Sequence, residues 1–116
     1  GLTVPGFPNF LMMYGPNGQA RIGSFHSWAE SFSRYIGGML TYMIEHKGKA
    51  VVVKREAYDH YNAALDEGMK SRLWETETGE SYYLNKHGRP GVNMPWTVHE
   101  YYEMIQDVDM ENYDIL

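Results

Sequence analysis

Gly6-Phe7-Pro8-Asn9-Phe10-Leu11-Met12-Met13-Tyr14-Gly15-Pro16-Asn17-Gly18 runs straight into a helical pattern that opens near Ser24. Residues Phe10–Tyr14 are too short and too apolar to be amphipathic, so they read as a buried strand. Pro5 and Pro8 precede them, at a sheet edge or in a turn. Within Gly15-Pro16-Asn17-Gly18, Asn and Gly can take φ > 0, which predicts a tight turn. Strand, Gly-rich turn and helix N-terminus in this order present backbone N–H groups to an anionic or electron-rich ligand.

Working outward, Ser24 or Ser27 can cap the helix, and Ser27-x-x-Glu30 has the spacing of a capping box. Phe25, Trp28, Phe32, Ile36, Met39, Leu40 and Met43 then recur at helical spacing as one apolar stripe. Gly37-Gly38 costs about 1 kcal/mol per Gly relative to Ala, a cost that close approach of a neighbouring element would offset. His46 and Lys47 suit the negative end of the helix dipole, and Gly48 is placed as its C′ residue. Ala50–Val53 is a second, short β-prone run.

Helical spacing resumes through Ala57, Tyr58, Tyr61, Leu65 and Met69. Residues 81–94 read as a hairpin turning at Lys86-His87-Gly88-Arg89. The final helix starts most clearly: Thr97 and Glu100 form a capping box, with Trp96 and Tyr101 placed as a hydrophobic staple. The expected fold class is α+β, with one short buried strand, helices near Ser24–His46, Glu56–Leu73 and Val98–Gln106, and a hairpin.

Composition narrows the function. The 116 residues make one domain's length, and a net charge of −5 lacks the basic footprint of a nucleic-acid binder. Asp107, Asp109, Glu111 and Asp114 read as a solvated acidic tail. With no cysteine, disulfides, thiolate metal sites and a cysteine nucleophile are excluded. No apolar run approaches the ~18 residues of a membrane span, and no signal-peptide pattern opens the chain. A soluble, cytoplasmic protein is expected.

Ten Tyr, four Phe and three Trp, beside eight Met, call for either an aromatic core or a face toward another layer of protein. His26, His46, His60, His87 and His99 show no metal-ligand spacing; His99-Glu100 begins like a zincin motif whose second His is missing. No G-x-S-x-G elbow surrounds a serine, and no dinucleotide or Walker loop is present, so the chain alone cannot hold a dinucleotide. The strand–turn–helix unit remains. Asn17, Gly18, Arg21, Gly23 and Ser24 are its candidate binding residues, with no catalytic residue and no metal ligand assigned. Set against this is a simpler reading, a turn leading into a capped helix.

The same unit resembles the last strand of the FAD-binding domain in flavoprotein monooxygenases, where a GFPN-apolar-GPN segment lies close to the flavin. Downstream, Val53-Lys54-Arg55-Glu56-Ala57-Tyr58-Asp59-His60-Tyr61-Asn62, Tyr82-Tyr83-Leu84-Asn85-Lys86-His87-Gly88-Arg89, Asn93-Met94-Pro95-Trp96 and Asp109–Leu116 resemble the Baeyer–Villiger monooxygenases, in particular the 4-hydroxyacetophenone monooxygenase branch. Gly18-Gln19-Ala20-Arg21 departs from that pattern, in which GPN is usually followed by Thr or Asn.

The resemblance implies a C-terminal piece of an FAD- and NADPH-dependent enzyme that passes one oxygen atom from O2 to a ketone or heteroatom of a small organic substrate. Residues 1–48 would be the last strand and helix of the FAD domain, and 49–116 a helix–hairpin–helix extension. Its partners would be the upstream FAD and NADPH domains; the piece alone would be inert, bind no cofactor and self-associate. The rival reading is a free-standing α+β interaction or dimerisation module. An unpaired strand edge would then seek a second copy.

Overall fold

The computed structural model describes residues 1–19, 23–70, 86, 91 and 94–116. Its elements are α1 (Phe25–Glu45), β1 (Val51–Val53), α2 (Arg55–Met69), α3 (Val98–Met104), a 3-10 turn (Met110–Asn112) and β2 (Tyr113–Ile115). The class is α+β. The expected hairpin lies almost wholly outside the described residues, as does the end of the second expected helix beyond Lys70.

Helix α1 starts and stops on local chemistry. Ser24 is the N-cap, its hydroxyl accepting from the His26 N–H at 3.2 Å. At the other end Gly48 N–H donates to Met43 C=O at 2.8 Å and Lys47 N–H to Ile44 C=O at 3.0 Å, which is the Schellman pattern. The left-handed residue is Lys47, at φ 56°, rather than Gly48. Gly48 is needed for another reason: a Cβ there would run into Ile115 and lie 3.1 Å from Met43 Cγ. Of the glycine pair in mid-helix, Gly38 admits Val108, whose Cγ2 would stand 3.0 Å from an added Cβ, and Gly37 faces open space.

The buried stripe of α1 is Trp28, Phe32, Tyr35 and Met39. Phe25, placed on that stripe by spacing, is 52 % exposed because it stands at the first turn, above the core. Val51, Met94, Tyr101 and Ile105 close the cluster. Helix α3 carries both bonds of its capping box, Glu100 N–H to Thr97 Oγ1 at 3.2 Å and Thr97 N–H to Glu100 Oε2 at 2.8 Å. The Trp96 and Tyr101 rings stack 6.3 Å apart at 6°, as a staple requires.

Two expectations are corrected. Phe10–Tyr14 is not a buried strand: it makes one bridge, Thr3 with Leu11, and Phe10 and Tyr14 are half exposed. A ladder needs a continuous partner, and Leu2–Thr3 supplies only two residues of one. The acidic end is not simply a tail. Its carboxylates face water, but Tyr113–Ile115 pairs antiparallel with Val51–Val53. The alternation of Tyr113 and Ile115 inward with Asp114 outward carries that strand. On the opposite edge of β1, Asn9 stands at φ 60°; its N–H donates to Val51 C=O at 2.9 Å, and its Oδ1 accepts from Val51 N–H at 3.0 Å. One residue thus satisfies both free backbone groups of Val51.

No helix among the described residues is long and apolar enough to cross a membrane.

Candidate functional site

The turn ahead of α1 forms as its residues dictate. Asn17 takes φ 54° and is buried, its N–H donating to Gly91 C=O at 2.9 Å. Gly18 N–H closes the turn on Gly15 C=O at 3.0 Å, and a Cβ on Gly18 would sit 2.8 Å from that same oxygen. Gly23 stands at φ 109°, with the Trp28 indole Nε1 only 2.8 Å from where a Cβ would go. Both glycines are therefore required by the chain's own packing.

Gly18, Gln19 and Gly23, with Tyr14, Phe25 and Trp28, line a hollow of about 130 Å³ at the mouth of α1. Tyr14 reaches across it to donate to Gln19 Oε1 at 2.7 Å, and its ring meets Phe25 edge-on at 5.4 Å. Ser24 is exposed at the rim. Its cap uses the His26 N–H and its carbonyl accepts from Trp28 N–H. That leaves Phe25 and Ser27 N–H without an acceptor among the described residues, at the positive end of the helix dipole. Arg21 lies outside the described residues. The expected set thus divides: Gly18 and Gly23 line the hollow, Ser24 caps the helix beside it, and Asn17 lines a second, larger cavity.

That cavity, about 330 Å³, opens where α1, α2, α3, the β-pair and the N-terminal segment meet. Leu2, Met12, Val53, Leu65 and Ile105 supply apolar wall, and Tyr35, Tyr58, Tyr61, Tyr101 and Tyr113 bring phenols to it. Tyr35 and Tyr113 hydroxyls are 3.1 Å apart, and the Tyr61 and Tyr101 phenols influence each other's titration. Burial, reinforced by Tyr113, pushes the Tyr35 phenol far above its ordinary value. Burial does the same to Tyr101, reinforced by Tyr61, and carries Tyr61 up to about 12. The phenols are held as donors at neutral pH. The sequence marked their abundance but not their convergence, since they come from four separate elements.

The histidines serve locally. His46 stacks on Tyr42 at 3.8 Å and its Nδ1 lies 2.9 Å from the Tyr42 C=O, while His99 Nε2 is 3.3 Å from Glu103. Among the described residues no three His, Cys, Asp or Glu gather as metal ligands.

For a flavin, the hollow offers glycine backbone beside the positive end of the α1 dipole, chemistry suited to one edge of a flat ring. The described residues offer no cradle for a pyrophosphate or an adenosine.

Comparison with known proteins gives the chain relatives along nearly its whole length. It is 32% identical to an uncharacterized monooxygenase of Sinorhizobium fredii over 114 residues, 97% of this chain and 17% of that protein. It is 31% identical to a Baeyer–Villiger monooxygenase of Streptomyces coelicolor, covering 100% of this chain and 22% of the relative. An FAD-binding monooxygenase of Dothistroma septosporum matches at 26% over 99% of this chain and 18% of its own length. Homologues over the whole chain are thus named monooxygenases. The chain spans about a fifth of the length of the curated relatives it matches. No family model matches, and no solved structure matches.

Proposed function

We propose that this chain is the C-terminal segment of an FAD- and NADPH-dependent monooxygenase of the Baeyer–Villiger type, one that passes an oxygen atom from O2 to a ketone or heteroatom substrate. The supporting observation is the similarity, end to end, to proteins named as monooxygenases, each about five times longer than this chain. The motifs at Val53–Asn62, Tyr82–Arg89 and Asn93–Trp96 support the 4-hydroxyacetophenone monooxygenase branch. Residues 1–48 complete the FAD domain, and 49–116 form the extension, in a cytoplasmic enzyme.

FAD, when bound by the parent, supplies the oxygen-activating chemistry. The chain's own residues hold one edge of it. Phe25 and Ser27 N–H would donate toward negative charge on the ring, Gly18 and Gly23 would let backbone approach its plane, and Asn17 and Arg21 are proposed as further hydrogen-bond donors to it. The dipole of α1 favours the anionic over the neutral ring. Phe7, Phe10, Tyr14 and Phe25, all more than half exposed, meet the upstream domains.

The full-length reading frame is the test. Purified, it should carry FAD, oxidise NADPH and place one atom of 18O2 in a ketone- or sulfide-derived product; absence of flavin and of NADPH oxidation overturns the proposal. The 116-residue chain should show no stoichiometric binding when FAD is titrated in and flavin fluorescence is followed. In the parent, Gly23→Val should lower flavin occupancy, because the β-branched side chain meets both the positive φ and Trp28. His60→Ala, on the exposed face of α2, should leave occupancy unchanged.

The same exposed aromatics support a second reading, a module that associates with its own copies. Sedimentation of the isolated chain across a concentration series measures it.

A further inference from the structure

The cavity of about 330 Å³ differs in character from the flavin-edge hollow: its wall is largely apolar, and five phenols stand among its polar groups beside Thr3, Asn17, Asn62, Asp109 and Asn112. A phenol pair joined by one hydrogen bond uses one of its two O–H hydrogens and leaves the other to find an acceptor. One such pair, Tyr35–Tyr113, faces this space, and the Tyr61 and Tyr101 phenols line it as well. Among the described residues the pair has no further hydroxyl acceptor. Its second O–H can therefore be turned into the cavity. A buried donor with nothing to donate to costs about 1–3 kcal/mol, so the arrangement favours an occupant that accepts.

Charge selects further. No Lys or Arg lines the cavity, and the one carboxylate there, Asp109, raises the negative field on Tyr35. An anion meets repulsion from Asp109, and the Gly1 ammonium that also lines the space already donates to Pro16 C=O, which disfavours nucleotides and carboxylic acids. The volume lies at the lower end for small-molecule sites and holds one or two rings. Aromatic walls from three helices suit a flat body.

We propose that this cavity is a binding site for a neutral, planar molecule of one or two rings bearing a carbonyl or ether oxygen, which accepts a hydrogen bond from a tyrosine pair. This inference does not depend on the oxygenase reading.

Coumarin, neutral and flat with a lactone carbonyl, is a direct probe, and coumarin-3-carboxylate is its charged counterpart. The 116-residue chain, isotope-labelled in its tyrosine rings, is titrated with each and followed by NMR. Coumarin should move the ring signals of Tyr35, Tyr61, Tyr101 and Tyr113 saturably with a submillimolar Kd, and the carboxylate should bind at least tenfold more weakly. Ala57→Phe, which fills the space from α2, should abolish the shifts, while Tyr61→Phe should weaken binding about fivefold with the amide spectrum otherwise preserved. Tyr102→Phe, on the exposed side of α3, should change nothing. No saturable shift up to the solubility limit overturns the proposal. So does binding that survives both Ala57→Phe and Tyr61→Phe, or equal affinity for the carboxylate.

Discussion

Residues 1–19 and 24–45 are of similar length, yet only the second is regular. Helix α1 is closed by residues next to it in sequence: Ser24 caps one end, Lys47 and Gly48 close the other, and one stripe packs into the core. The segment before it must borrow. Its bonds go to Val51 through Asn9, to Gly91 through Asn17 and to Leu2 through Met12, and Phe7, Phe10 and Tyr14 stay in water. A helix carries its partners in its own sequence; a would-be strand depends on what lies beside it.

That contrast sets an order of expected effects. Phe32→Ala, at a site 1 % exposed in the α1 stripe, should cost about 3–5 kcal/mol, measured by urea unfolding. A return of less than 1 kcal/mol would mean that α1 does not organise the core.

Alkaline pH comes next. Tyr61 is raised to about 12, with Tyr35 and Tyr101 raised further, against about 10 in the unfolded chain. Above pH 10 the unfolded state gives up phenolic protons that the folded state keeps, so stability falls as pH rises. The loss is roughly 1.4 kcal/mol per pH unit for each such proton, complete for Tyr61 near pH 12. Thermal melts at pH 8, 10 and 11 should show a flat first interval and a steep second one. Tyr35→Phe should flatten the second.

Asn9→Ala removes the side-chain acceptor by which the borrowed segment holds Val51 N–H. It should cost about 1–2 kcal/mol, since Val51 N–H loses its acceptor and the positive φ becomes strained. Hydrogen exchange at Val51 should speed up, with the amides of α1 unaffected. At the low end, Phe10→Ser should change stability by no more than about 0.5 kcal/mol while reducing any self-association seen in sedimentation. A larger loss would show that Phe10 is part of the core after all.

The same contrast explains what could be read from the residues alone. Caps are written in a few adjacent positions, so Ser24, the Thr97–Glu100 box and the Trp96–Tyr101 staple were all legible. Asn17 at positive φ was legible too, because turn chemistry is local. Lys47 took the left-handed place expected of Gly48, since Ile115 had a prior claim on the space over Gly48. That claim comes from the far end of the chain and leaves no mark near residue 48. Strand β2 hid behind its own carboxylates, although the inward–outward alternation of Tyr113, Asp114 and Ile115 was there to be found. Of the candidate binding residues, Gly18 and Gly23 line one hollow and Ser24 caps the helix beside it. The phenol-lined cavity was beyond reach, because no window of sequence holds Tyr35, Tyr61, Tyr101 and Tyr113 at once.

The pairing of Val51 with Ile115 has a consequence for how the chain is made. The two lie more than sixty positions apart, and a ribosome adding about 5–20 residues per second delivers the second some 3–13 s after the first. Through that interval β1 has no strand on its β2 side. Its other edge need not wait: Asn9 has already emerged, and its backbone and side chain can occupy Val51 in the way a neighbouring nascent chain otherwise could. A single asparagine is thus placed to act as a chaperone in cis, holding an aggregation-prone valine run closed on one side until its partner arrives.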